Sequence, residues 1–439
     1  MKLINQLRRE TTFKNGTAFI GIESPHLPYS IIAVGFNAGS RHDPPKKSGL
    51  AHLAEHVFAH RQERMPTPEQ RLARLESLGI AFDAITDRET TLFYHSQLEQ
   101  SLPQSLELLW NGITKTAATK AAVEQEKNII ADERHRDEND PQWLMRECAL
   151  QTLWPNTGIA APITGTLRTL KNITPADVRR WYRVSLHPGR ATCFAIGSKK
   201  EVAAAEQFFA KKSTARTAPG AAHPKSGALL GSAAAELVSF CDATHHTKDY
   251  APIGIFFKTT PLSNEKDRIT LSFIKHYLAG SWLGLLIREL RIKRNLTYWV
   301  DADSEYFSDT GYLEFLFSAP ESDIVDAVAV ALRELRNIKQ KPLTARGMAA
   351  HKTSLITAVA KTRQDPEQVL SWYSREPLLG ERALGYQAFI SGINALDGKA
   401  IQQAARAYLT PERAAIIIGA AGSASVKRKL NALAKKILT

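Results

Sequence analysis

Cysteine is scarce: Cys148, Cys193 and Cys241 are the only three in 439 residues. None forms a C-x-x-C pair, so neither a disulfide framework nor a cysteine-based zinc site is expected. Cys193 sits in the apolar run ATCFAIG and reads as a buried strand residue, and all three are expected to be reduced. Also missing is any stretch near the roughly 18 uninterrupted apolar residues of a membrane span. The opening MKLINQLRRETTFKNGTAF carries bases but no apolar run or small-residue cleavage site. A signal peptide is therefore not expected, and the expected location is cytoplasmic. Neither GxGxxG nor a Walker sequence occurs, which leaves a nucleotide site without support.

What is present is the balance of a soluble globular chain, 44% hydrophobic and 23% charged. At roughly 100 to 200 residues per domain, the length predicts two to four domains. Lys and Arg outnumber the acids 57 to 44, a net charge of +13. The bases are scattered, with one short cluster at Lys427-Arg428-Lys429. That segment has a helical period, with Val426, Leu430, Leu433 and Ile437 on one face. It reads as a docked helix with a solvated basic side, so no nucleic-acid partner is expected.

Near the midpoint, residues 213–235 are rich in Ala, Gly, Ser and Pro and lack periodicity. Such a stretch reads as a linker between a domain 1–212 and a domain 236–439. The two halves repeat each other. At a constant offset of 223, Arg183 matches Arg406, Leu186 matches Leu409, and Pro188 matches Pro411. Each copy is a helix, a proline turn and a strand of small and β-branched residues. An internal duplication is the simplest account.

TAFIGIES and YSIIAVGFNAG read as paired strands, GLAHLAEHVFAH as a helix, and EQRLARLESLG as a second helix closed by Gly79. AFDAITDRETTLFYHSQL alternates as strands do, and SLPQSLELLWNGI is helical again. Hairpin strands with helices between them point to α+β domains, each an antiparallel sheet packed with helices.

His52 and His56 are four apart in a helical run, so both imidazoles lie on one face and reach one tetrahedral zinc. Glu55, one residue before His56, can remove a proton from a water at such an ion. Without more, the pattern equally suits a helix whose histidines make hydrogen bonds on a half-buried face. A later helical segment, AAVEQEKNIIADERHRDEND, places Glu126 and Glu133 two turns apart on a common side. Acidic runs are usually solvated faces. Here Val123, Ile129 and Ile130 give the helix an apolar side, so some of its acids lie at the boundary and one would complete a His-His-Glu set.

These residues resemble the pitrilysin/insulinase family of zinc metallopeptidases, which includes the mitochondrial processing peptidases. The resemblance begins at Gly39-Ser40-Arg41-His42-Asp43-Pro44 and runs through Ser48-Gly49-Leu50-Ala51-His52-Leu53-Ala54-Glu55-His56. It continues in Leu75-Glu76-Ser77-Leu78-Gly79 and in Phe82 to Tyr94. The family's third zinc ligand is a glutamate about 77 positions after the second histidine, where Glu133 stands. Glu126 falls on its supporting acid. In the second half, Arg291 and Tyr298 resemble the family's Arg-x6-Tyr pair, which contacts bound peptide near the scissile carbonyl. From residue types alone that segment is a surface helix running into a strand.

The resemblance implies zinc held by His52, His56 and Glu133, with Glu55, Glu126, Arg291 and Tyr298 in catalysis. It further implies a peptide substrate and a clamshell chamber built from two such chains. A homodimer is the preferred expectation, a heterodimer with a homologous subunit the other. The rival reading is a non-catalytic or partner-dependent subunit, whose mark would be loss of a ligand or the base; none is lost. His60 reads as a neighbour of the site, His42 as part of the loop before the metal helix, and His245-His246 as a loop or strand pair. Two departures bear on specificity. Ala59 stands where processing peptidases often have Phe, which opens the pocket. Asp83 stands where many relatives have Asn, on the strand to which substrate adds, and favours basic residues nearby.

Overall fold

A computed structural model describes residues 7–60, 65, 67–114, 118–213, 236–241, 250–282 and 284–439. The expectations for the side chains of Ala59 and His60, for His245-His246 and for the stretch after Ser213 fall outside what is described.

Alternating and wholly apolar runs form the strands. The first half supplies β1 (Leu7–Thr12), β2 (Ala18–Glu23), β3 (Ser30–Phe36), β4 (Ala81–Thr86), β5 (Thr91–Gln97) and β6 (Thr192–Gly197). The second half supplies β7 (Val238–Phe240), β8 (Tyr250–Thr259), β9 (Val300–Tyr306), β10 (Gly311–Pro320) and β11 (Ala414–Ile418). Helices of the first half are α1 (Leu50–His60), α2 (Pro68–Glu76), α3 (Leu102–Thr114), α4 (Lys120–Glu138), α5 (Pro141–Leu153), α6 (Leu167–Lys171), α7 (Pro175–Val184) and α8 (Lys199–Lys212). Those of the second are α9 (Glu265–Leu278), α10 (Ile324–Gln340), α11 (Ala345–Thr362), α12 (Pro366–Leu378), α13 (Tyr386–Ala395), α14 (Gly398–Tyr408) and α15 (Ala424–Leu438). As the periodicity of the last segment predicts, α15 buries Leu430 and Ile437 and leaves Arg428 and Lys429 exposed.

One sheet has the order β1-β2-β6-β3-β5-β4 and the other β7-β11-β8-β10-β9. Apart from β1, the second order repeats the first, with β6 and β11 in equivalent places. Both strands follow the proline turns matched at the offset of 223, so the topology carries the duplication seen in the residues. The fold is α+β, but two details of the expected sheets are corrected. β2 and β3 do not pair with each other, because β6 inserts between them. β6 runs parallel to β2, and β11 parallel to β7, so neither sheet is wholly antiparallel. A strand arriving some 150 residues later can enter the middle of a sheet, since a long connection with helices permits parallel pairing.

The chain divides into two units, and neither is a continuous half. The first comprises Met1–Arg134, Ala161–Pro224 and Ala360–Ala383; the second comprises His135–Ala160, Lys225–Val359 and Leu384–Thr439. Thus α12, from the second half, packs on β3 and β6 of the first unit. Its Leu378 lies where Gly35 leaves room, so close that a side chain at Gly35 would collide with it. Conversely, α5 packs on β8 and β11 of the second unit. Both helices start alike: Asp140 caps the backbone N–H of Gln142 before Pro141, and Asp365 caps that of Glu367 before Pro366. The exchanged helices are therefore copies of one element.

In the second unit, α5 contributes Met145, Ala149, Leu150 and Leu153 to a core with Phe256, Leu316 and Ile417. Cys148 of α5 is disulfide-bonded there to Cys241, just beyond β7. This overturns the expectation of three reduced cysteines. The pair is 93 residues apart, and only the packing of α5 on this sheet brings it together. Cys193 is free and buried in β6.

Candidate metal centre

The first unit builds this site on α1 and α4. Leu50, Leu53, Ala54 and Val57 of α1 are buried, an i, i+3, i+4, i+7 stripe that fixes which way the opposite residues face. The chain enters α1 through Gly49, whose φ of +96° is a left-handed conformation that glycine adopts without strain. The backbone of Gly165 passes so near that an added carbon at Gly49 would meet it at 3.2 Å. Asp43 then takes the free N–H groups of the helix start, accepting from Gly49 at 2.7 Å, Leu50 at 3.1 Å and Ala51 at 2.9 Å. Nearby, His42 shapes the preceding turn by accepting the backbone N–H of Gly39 on Nδ1 at 3.2 Å. On the other side of α1, the Tyr182 hydroxyl of α7 donates to the Ala54 carbonyl at 3.0 Å.

On α4, Val123 and Ile130 face the core, whereas Ile129 is 39% exposed and does not belong to the apolar side expected for it. The buried face carries Glu126 to His56, with Oε2 3.4 Å from Nδ1. Two turns on, Glu133 places Oε2 3.3 Å from His56 Nε2 and 3.9 Å from His52 Nε2. The two imidazoles meet edge to face with centroids 4.6 Å apart. His52, His56 and Glu133 each offer a ligand atom, all within 4.8 Å of one another. Around a tetrahedral zinc with bonds of about 2.0–2.1 Å, neighbouring ligand atoms are about 3.3 Å apart. The His56–Glu133 separation matches that value. The 3.9 Å approach of His52 exceeds hydrogen-bond range. This is the arrangement of donors gathered about a common point, and the donor set fits the ion.

Glu55 is buried one turn from His52, with Oε2 3.9 Å from His52 Nε2, and accepts a hydrogen bond from Thr86 at 2.9 Å. Burial pushes its carboxyl up to about 7, against the pull of His56 and of the Thr86 hydroxyl. Burial, aided by the neighbouring His56, takes His52 down to about 4. For His56, burial again favours the neutral ring, but Glu126 and Glu133 outweigh it and raise the group to about 10. Before any ion binds, one histidine is thus a neutral donor and the other is held by carboxylates.

Thr86 ends β4, which lies at the edge of its sheet beside α1. Asp83, exposed on that edge strand, accepts the Tyr94 hydroxyl from β5 at 2.9 Å. Asp43, Thr86 and Tyr182 escaped the reading of the residues as site components. Asp43 lies too far before α1 for the usual capping spacing, and the other two reach the helix only through tertiary packing.

The structure therefore gathers His52, Glu55, His56, Glu126 and Glu133 in the first unit. In the second it brings Arg291 to Tyr298. Arg291 lies in a π-helical turn, Ile287–Ile292, and its guanidinium stands 5.3 Å from the centre of the Tyr298 ring.

Residues 19–167 match the family model described as insulinase (peptidase family M16), and residues 172–355 match the one described as peptidase M16 inactive domain. The chain belongs to the insulinase family of peptidases. It is 23% identical over 340 residues to a protein of Streptomyces coelicolor named a zinc protease, covering 76% of this chain and 73% of that one. A Bacillus subtilis protein named a zinc protease is 20% identical over 416 residues, covering 94% and 98%. The β subunit of the Neurospora crassa mitochondrial-processing peptidase is 23% identical over 204 residues, or 46% of this chain and 43% of that subunit. Among solved structures, a protease from Helicobacter pylori superimposes with a TM-score of 0.81 at 17% identity, covering 94% of this chain and 99% of that one. The insulinase fold is common to both. All five residues of the first-unit cluster fall within the insulinase match.

Proposed function

We propose that this insulinase-family chain is a zinc-dependent endopeptidase acting on unfolded peptides or short precursor segments. The observation that carries the reading is the convergence of His52, His56 and Glu133 within 4.8 Å, with Glu55 one turn away on the same helix. His52, His56 and Glu133 would hold the ion. Zinc bound there supplies Lewis acidity toward a water and toward the scissile carbonyl.

The chain's own groups do the rest. Glu55, held by Thr86, takes a proton from the attacking water and delivers it to the leaving amine. A carboxyl lifted toward neutrality by burial suits both halves of that transfer. Glu126, beside Nδ1, keeps the His56 ring oriented, which would leave the other ring nitrogen to hold the ion. Peptide adds to the open edge of β4 as a further strand, its main chain hydrogen-bonded and Asp83 favouring a basic side chain. Arg291 and Tyr298 donate to the peptide or to the oxyanion. In this reading two chains, as a homodimer or with a homologous subunit, enclose a chamber that admits unfolded peptide and excludes folded protein.

The test is zinc content by mass spectrometry together with cleavage of an unstructured peptide, wild type against Glu55→Gln, with and without a chelator. The expected result is chelator-sensitive cleavage by wild type only. Equal cleavage by the two proteins would remove Glu55 as the base, and no cleavage by a zinc-loaded wild type would favour a non-catalytic subunit.

A further inference from the structure

Beside the loop that leads into α1 lies a pocket of about 290 Å³, lined wholly by residues of the first unit. None of the five residues of the metal cluster lines it. One wall is α7, whose Asp177, Arg180, Trp181 and Val184 recur at i, i+3, i+4 and i+7 and so share a face. The facing wall is the loop, through His42, Pro44 and Lys47, with Leu50 at the first position of α1. Small-molecule pockets begin at about 300 Å³, so the volume suits a compact ligand.

The lining offers two kinds of surface. Leu50, Trp181 and Val184 are apolar; the first two are buried, and Val184 is 37% exposed, a side chain that an apolar ligand would cover. The charged lining is mainly basic, with Lys47 and Arg180 against Asp177 alone. Both oxygens of that acid are engaged. Oδ1 accepts from Lys47 at 2.5 Å, and Oδ2 accepts the N–H and the hydroxyl of Thr174 at 2.9 and 2.7 Å. His42 accepts the Gly39 N–H on Nδ1, so its ring proton is on Nε2 and that nitrogen is a donor. Arg180 makes no ion pair or hydrogen bond among the described residues. With the one acid engaged, the charge left for a ligand is positive. An uncharged occupant would leave Arg180 unmatched, and an inorganic anion would leave the apolar surface wet. A carboxylate on an apolar body answers both.

We propose that this pocket binds a small organic acid, its carboxylate held by Arg180 through two parallel bonds and its apolar body seated against Leu50, Trp181 and Val184. The same chemistry recognises a free aryl or alkyl acid and the C-terminal apolar residue of a short peptide. The inference does not depend on the peptidase reading, since the pocket shares no residue with the metal cluster.

The experiment is calorimetric titration of the full-length chain with 3-phenylpropanoate, with its amide and with the tripeptide Gly-Gly-Phe. The tripeptide is added to Glu55→Gln, so that it is not consumed. The acid should bind with a Kd of about 1 mM or tighter, in keeping with so small a ligand. Its amide should bind about tenfold more weakly, the loss of a charged hydrogen bond. Arg180→Ala should erase that difference, and Arg180→Lys should keep part of it. Arg183→Ala, which removes an exposed charge from the same helix outside the pocket, should keep it whole. Val184→Trp should fill the pocket and weaken acid and amide alike. A tripeptide that binds as tightly as the free acid would identify a chain end as the ligand, and its exclusion would identify a free acid.

Absence of binding, or equal binding of acid and amide, would overturn the site. So would a preference that survives Arg180→Ala, or binding unchanged by Val184→Trp in a chain that melts as wild type does. Inorganic phosphate competing as strongly as the acid would reduce the pocket to a general anion patch and overturn it too. None of these readouts involves hydrolysis, so failure of this site and failure of the peptidase reading are told apart.

Discussion

The hydroxyl of Thr86 donates to Glu55 across 2.9 Å, joining the edge strand to the helix that carries both histidines. The bond stabilises the charged carboxylate and fixes the one side chain positioned to act as a base. Thr86→Val keeps the shape and removes the donor. Losing a hydrogen bond to a charged group should raise the Glu55 pKa by about one unit and cut kcat/KM at neutral pH about fivefold. The acid limb of the pH–rate profile should move to higher pH, because more of the base is then protonated. Thr86→Ser should restore it. A profile that does not move would separate Thr86 from the base.

Glu126 touches His56 on the nitrogen turned away from Glu133. Glu126→Gln should lower zinc affinity about 10- to 100-fold while leaving the three ligands in place. Competition against a chromophoric chelator measures this directly. Glu133→Ala should instead lose stoichiometric zinc. If Glu126→Gln binds zinc as wild type does, the acid serves packing alone.

His95 is fully buried on β5. Its Nδ1 is 3.0 Å from the Ser105 hydroxyl, which itself donates to Gln97 at 2.7 Å, so the ring donates and is neutral. Burial, helped by the charge of Arg71 and opposed by Ser105, takes its pKa down to about 3. The unfolded chain binds this proton near pH 6.5 and the folded chain does not, so stability is complete above about 6.5 and declines as pH falls toward 3. Between pH 7 and 5.5 the loss should be about 1 kcal/mol from this group. Urea unfolding at the two pH values should show a smaller loss for His95→Gln. An identical loss would place the acid sensitivity elsewhere.

The Cys148–Cys241 bond ties α5 to the segment just after β7 within the second unit. Cys148→Ser should lower its stability by about 2–4 kcal/mol, read from denaturant unfolding without reductant. Alkylation of the unreduced, unfolded chain should label Cys193 alone, which mass spectrometry counts. Three labelled thiols would show that the bond does not form.

Much of the first-unit cluster is legible in the residues because a helix converts spacing into direction. His52, Glu55 and His56 share a helix, and Glu126 and Glu133 share another, so each pair's face is settled locally. Ile129 shows the limit of that reasoning: grouped with Val123 and Ile130 on the apolar side, it is left exposed by the packing of α4. Asp43, Thr86 and Tyr182 were not legible, since each supports α1 from a segment whose approach no local pattern encodes. The expected pairing of β2 with β3 fails because β6, which comes much later in the chain, lies between them.

By itself the sequence determined the helices of the site, the histidine–glutamate motif, the duplication at an offset of 223 and the family to which these belong. Each of those rests on short-range periodicity or on matched turns. Only the tertiary structure decided which sheet each helix covers. It sent α5 and α12 to units other than those of their chain neighbours, and so brought Cys148 to Cys241. The physical reason is that two copies of one element carry similar apolar faces, and burial area alone does not say which of two related sheets a helix will choose. That choice is made by shape, as where Gly35 leaves space for Leu378.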